Sequence, residues 1–99
     1  MKKFIIIFAM IPILLSSCTR DPYADFIVTK RVVEVGETVY FTNRSIDAYD
    51  YEWDFHDGYY SSNFNASHYW DEPGHYTVIL TAFGKDGKYD IAQMTIEVL

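Results

Sequence analysis

An all-β sandwich is the fold class this sequence predicts, and three observations predict it. Apolar and polar residues alternate along most of the chain beyond residue 24, the period of extended strands with one face buried. No stretch there carries the three-and-four spacing of an amphipathic helix. The alternating runs are separated by residues that suit corners: Gly36-Glu37, Asp57-Gly58, Pro73-Gly74 and the loop Gly84-Lys85-Asp86-Gly87-Lys88.

The N-terminus stands apart from this pattern. Lys2 and Lys3 precede an uncharged run from Phe4 to Leu15, interrupted by Pro12. A bilayer-spanning helix needs roughly 20 apolar residues, so the run is short for an anchor and has the length and flanks of a secretory signal. Leu15-Ser16-Ser17-Cys18 closes it, and Cys18 is the one cysteine of the chain. This segment resembles the lipobox of bacterial lipoproteins. The resemblance implies cleavage after residue 17, a thioether-linked lipid (with further acyl groups such as palmitate) on Cys18, and a place in the bacterial cell envelope outside the cytoplasm. Two or more acyl chains hold a protein stably where one does not. Residues 1–17 are thus expected to be a signal peptide, 18–24 a lipidated cysteine with a short tether, and 25–99 the folded domain.

Within the domain, Asp25 to Thr29 and Val32 to Val35 are expected as edge strands. Thr38 to Asn43 follows the Gly36-Glu37 turn, with Val39 and Phe41 on one face and Tyr40 and Thr42 on the other. Tyr49, Tyr51, Trp53 and Phe55 then alternate with Asp50, Glu52, Asp54 and His56, which predicts four rings facing a core and four polar groups facing water. Asp57-Gly58 ends this strand because glycine tolerates positive φ and Asp-Gly suits a hairpin. Pro73 fixes φ and donates no hydrogen bond, so a new strand starts after it. Tyr76, Val78, Leu80 and Ala82 form its inner face, and Ala92, Met94, Ile96 and Val98 that of the last strand. Joined without a bulge, these two strands pair Leu80 with Ala92 and Val78 with Met94 inward. Outward they pair Phe83 with Tyr89 and Thr81 with Ile91.

Removing residues 1–17 leaves 82 residues, enough for one small domain, with a net charge of −8 against −6 for the whole chain. A core of that size is small, so nine Tyr, five Phe and two Trp must supply much of the burial. Acidity without a basic cluster excludes nucleic acid as a partner.

Two segments carry a family resemblance. Trp53, Asp54, Phe55, Asp57 and Gly58 match a Trp-Asp-Phe-Gly-Asp-Gly pattern. His68, Trp70, Pro73, Gly74, Tyr76 and Val78 match His-x-aromatic-x-x-Pro-Gly-x-Tyr-x-Val. Together they resemble the signature of the PKD (polycystic kidney disease) domain family across about residues 25 to 98. His56 stands where that pattern has glycine, which suggests a less cramped turn, and Trp70 where it usually has tyrosine. The resemblance implies an immunoglobulin-like β-sandwich of about seven antiparallel strands, with Trp53 in its core, and a non-catalytic module for binding, spacing or adhesion at a surface.

The residues themselves favour that functional class. A hydrolase needs a nucleophile with a base in reach, or two carboxylates flanking a bond; the serines and histidines here have no such context, so no catalytic residue and no enzyme is expected. His56, His68 and His75 lack zinc spacing. Calcium takes clustered carboxylate oxygens, which Asp47, Asp50, Asp54 and Asp57 could supply, but a solvated strand face explains them. The resemblance to PKD-like domains of secreted proteases leaves Asp47 and Asp50 as weak candidates, and no metal or cofactor is expected beyond the lipid on Cys18. Ile79, Phe83, Tyr89 and Ile91 form a candidate protein interface, since the hairpin register puts them together on the solvent side. Tyr59, Tyr60, Phe64 and Tyr69 form a candidate glycan contact, since planar rings stack on sugar faces. The expected partners are therefore the membrane, through the lipid, and a protein or a polysaccharide at the cell surface.

Overall fold

The computed structural model describes residues 20–99. Cys18 and the signal segment lie outside the described residues. Eight strands form two sheets: β1 (Phe26–Val28), β2 (Val32–Val33), β3 (Val39–Asn43), β4 (Asp50–Asp54), β5 (Tyr60–Ser61), β6 (Ala66–His68), β7 (Gly74–Phe83) and β8 (Tyr89–Val98). One sheet has the order β1-β3-β6 and the other β2-β8-β7-β4-β5. The only helical turn among the described residues is a 3₁₀ turn, Lys85–Gly87, between β7 and β8. The predicted all-β sandwich is the observed fold.

The two sheets meet over a core of aromatic rings. Trp53 in β4 is fully buried, with Phe26 edge-on at 5.1 Å and Phe41 tilted at 5.5 Å from the facing sheet. Its indole N–H donates to the Asn63 carbonyl at 3.0 Å, so the buried polar tip is satisfied. Val39, Val78, Leu80 and Ile96 close the rest of the core. Buried Asn43 spends its groups on the loop around residue 64. Its backbone N–H donates to the Asn65 side chain, its amide donates to the Phe64 carbonyl, and its side-chain oxygen accepts from the Ser45 amide.

The β7–β8 hairpin follows the expected register through all ten pairs, from Gly74 opposite Val98 to Phe83 opposite Tyr89. A one-residue slip would turn Val78, Leu80 and Ile96 out of the core, and a two-residue slip is excluded by the short loop, closed where the Gly84 amide donates to the Lys88 carbonyl at 2.8 Å. Strand β2 adds a parallel edge to β8, with Val32 opposite Glu97. The chain crosses from one sheet to the other between Val28 and Val32, and so joins β8 from the same direction. The expectation of antiparallel pairing throughout is amended at this one edge.

Two expectations change. The aromatic face of β4 is graded: Trp53 and Phe55 are buried, Tyr51 is half-buried and Tyr49 is exposed. Tyr49 precedes the strand, and among the described residues no layer covers it there. The residues read as a tether are also partly built into the domain. Tyr23 and Ile46 exchange backbone hydrogen bonds at 3.0 Å, the Ala24 amide donates to the Asp90 carboxylate at 2.8 Å, and Pro22 is buried beside Gly84.

Candidate functional site

The first cluster of matched residues sits at the corner between β4 and β5. Here Phe55 and Tyr59 close a tight hairpin, the Phe55 amide donating to the Tyr59 carbonyl at 3.2 Å. Both aspartates brace it locally: Asp54 accepts from the His56 amide at 2.9 Å and Asp57 from the Tyr59 amide at 3.1 Å. His56 has φ of +60° and Gly58 of +94°. A glycine at position 56 would meet this left-handed backbone without cost, so the turn is as constrained as the Trp-Asp-Phe-Gly-Asp-Gly pattern implies, and the expectation of a roomier turn is corrected.

His68 joins that corner to the second sheet. Its Nε2 lies 2.7 Å from the second oxygen of Asp57, and its ring stacks on Phe55 at 4.2 Å and meets Trp70 edge-on at 4.8 Å. Trp70 donates its indole N–H to the Phe55 carbonyl and stacks on Tyr76 at 5.2 Å. The Tyr76 hydroxyl donates to the Glu72 carbonyl at 2.8 Å, across the Pro73-Gly74 corner. Phe55, Asp57, His68, Trp70 and Tyr76 therefore form one brace that holds the sandwich closed at this end, while Gly58 and Pro73 of the same pattern are exposed at its corners.

Around the brace the exposed rings divide into separate groups. Tyr59 and Tyr69 flank His68, at 5.9 and 6.4 Å between ring centres. Tyr60 points the other way, onto the outer face of the five-stranded sheet, because it is opposite Asp54 in the ladder. Phe64 packs edge-on against Tyr51 at 5.1 Å. The four residues of the candidate glycan contact are all exposed, but they do not share one plane.

The outer face of the five-stranded sheet carries the candidate protein interface. Ile79, Phe83, Tyr89 and Ile91 all point there, as the register required. Tyr89 and Ile91 are exposed, while Ile79 and Phe83 are half-buried by their neighbours. Strand β5 pairs only with Trp53 and Asp54, so among the described residues no strand lies beyond Tyr51 and Glu52 on that side. There Tyr51, Glu52, Tyr60, Ser61, Ser62 and Phe83 line an open groove of about 410 Å³.

Asp47 and Asp50 stay on the surface at the other end, and among the described residues no group of three or more His, Cys, Asp or Glu gathers for a metal ion. Tyr23, Tyr40 and Tyr49 are also exposed rings. Alternation placed Tyr40 outward correctly and Tyr49 inward wrongly, and Tyr23 lies before the first strand, where alternation says nothing.

A family profile described as PKD domain matches residues 19–98. Among solved structures, the PKD1 domain of Vibrio anguillarum Epp is 30% identical with a TM-score of 0.68, covering 81% of this chain and 95% of that one. The PKD1 domain from Vibrio cholerae metalloprotease PrtV is also 30% identical with a TM-score of 0.68, covering 80% of this chain and 98% of that one. A structure described under carbohydrate-binding modules from the β-sandwich superfamily is 29% identical with a TM-score of 0.75, covering 81% of this chain. This chain spans 35% of that structure's length. No match was found among curated proteins.

Proposed function

The chain belongs to the PKD domain family, and from that premise we propose that it is a non-catalytic binding module held at the bacterial cell envelope by a lipid on Cys18. The brace around His68 supports the non-catalytic reading, since the polar residues of the family pattern are spent on the fold. The lipobox-like Leu15-Ser16-Ser17-Cys18 supports the envelope location, in keeping with the similarity to a domain of a Vibrio metalloprotease. The contact surface is the outer face of the five-stranded sheet, and its partner is a protein. The observation that carries this is the row of Ile79, Phe83, Tyr89 and Ile91 on one uncovered face. The test is co-purification from the native envelope with the lipid intact. Ile91→Asp combined with Tyr89→Asp should leave the fold intact and remove a partner that the unaltered protein retains. An unchanged set of partners would refute the assignment.

One observation favours a second reading, carbohydrate binding. The groove beside β5 combines the rings of Tyr60 and Phe83 with the Glu52 carboxylate and two serines, a mix suited to sugar faces and hydroxyls. The similarity to the structure described under carbohydrate-binding modules agrees with it. Titration with polysaccharides, followed by intrinsic fluorescence, should saturate for the native protein and not for Tyr60→Ala. No saturable change with any glycan would end this reading.

A further inference from the structure

We infer that the end of the sandwich from which the N-terminus emerges is a membrane-seating surface, made of exposed tyrosines that rest in the lipid headgroup layer. This rests on the proposed lipid at Cys18 and goes beyond it, because anchoring alone sets no orientation. Three facts fix which end faces the bilayer. Tyr23 bridges Ile46, Pro22 packs on Gly84, and Lys88 holds Asp21 at 2.8 Å. The chain is therefore pinned to the β7–β8 loop from Asp21 onward. Only three residues, Thr19 to Asp21, separate Cys18 from the buried Pro22, a reach of at most about 14 Å. The His68 brace lies at the opposite end of the strands, facing away.

The surface brought down by that short reach has the chemistry of an interface with lipid. Tyr23, Ile46 and Tyr49 are 57%, 58% and 65% exposed. They lie around the β7–β8 loop: Tyr23 bridges Ile46, and the Tyr49 amide donates to the Phe83 carbonyl at the end of β7. Tyrosine has an apolar body and a polar tip and concentrates where hydrocarbon meets water. The Lys85 ammonium sits 6.0 Å over the Tyr49 ring, where its stem lies along apolar surface and its charge stays in water. Charge does not supply the attraction. Arg20, Arg44, Lys85 and Lys88 are matched at this end by Asp21, Asp25, Asp47, Asp50, Asp86 and Asp90. The seat is therefore made by the rings, it forms on neutral lipid, and it is insensitive to salt.

The experiment uses the full lipidated protein from bacterial membranes, reconstituted in phosphatidylcholine vesicles with brominated acyl chains. Intact mass first reads whether Cys18 is acylated. Protein without the lipid is coupled through the Cys18 thiol to a maleimide lipid, so failure of the natural anchor is recorded separately from failure of the seat. Tyr23→Trp and Tyr49→Trp report on the proposed seat and Tyr59→Trp on the far end, against the buried Trp53 and Trp70. Bromine should quench the two near-end reporters at least twofold more than the far-end one, equally in low and high salt. Equal quenching at both ends overturns the proposal. So does protection of Tyr23 and Tyr49 by self-association without quenching, which would assign this end to protein contact.

Discussion

His68 Nε2 lies 2.7 Å from Asp57 Oδ2, tying the β4–β5 corner to β6 and so one sheet to the other. Both side chains are largely buried, and the imidazole is sandwiched by rings, so the pair combines packing with a hydrogen bond in a partly desolvated place. His68→Ala should cost about 2–4 kcal/mol, through the lost ring and the unpartnered carboxylate. His68→Phe keeps the stack and should cost about 1–2 kcal/mol. Urea denaturation checks both, with a lower midpoint and an unchanged slope expected.

His56 holds a left-handed backbone, φ +60°, at the tip of the same corner. That conformation costs an ordinary residue about 1–2 kcal/mol and glycine almost nothing. Glycine also loses more freedom on folding, which offsets part of the gain. His56→Gly should therefore raise stability by about 1 kcal/mol, read as a higher thermal midpoint. A lower midpoint would show that the His56 side chain supplies a contact worth more than the strain.

Gly84 controls the docking of the N-terminal segment. A β-carbon there would lie 3.0 Å from Pro22 Cδ and 3.2 Å from the Asp47 carbonyl. Gly84→Ala should push Pro22 away at a cost of about 1–3 kcal/mol. Hydrogen exchange is the direct measure. The Tyr23 and Ile46 amides, bonded to each other's carbonyls, should lose protection while the β7–β8 ladder keeps its own.

The Glu37 carboxyl titrates below its ordinary value of 4.5, because it accepts the Glu34 amide and, second, the Lys30 ammonium at 3.0 Å. A carboxyl lowered by folding stabilises the fold above its unfolded value, and that contribution fades as pH falls through the folded one. Solvent around the Lys30–Glu37 pair screens it and keeps the effect on stability small. Carbon-detected NMR should find Glu37 titrating below the ordinary carboxyl value, and Lys30→Met should bring it only part of the way back.

Some of this was readable before any coordinates. The ten-pair register of β7 with β8 follows from alternation, which sets the buried face, together with a short bulge-free loop at Gly84 to Lys88, which sets the pairing. The corner at Asp57-Gly58 and the burial of Trp53 were equally plain. The fate of Tyr49 was not, since alternation gives the side a residue faces but not where the opposite sheet stops. Nor was the grouping of Tyr59 with Tyr69 while Tyr60 turns to another face, because that depends on where β5 meets β4 and β6 meets β3.

The sequence by itself determined the layered all-β fold, the hairpin register and the family, since each is written in local periodicity and short-range spacing. Only the tertiary structure decided that His68 closes onto Asp57, that Pro22 to Ala24 belong to the domain, and that Tyr23 and Tyr49 gather at one end. Those are contacts between residues 11 to 66 positions apart. They form where two sheets are brought face to face, and no local pattern along the chain encodes how two separate layers are aligned.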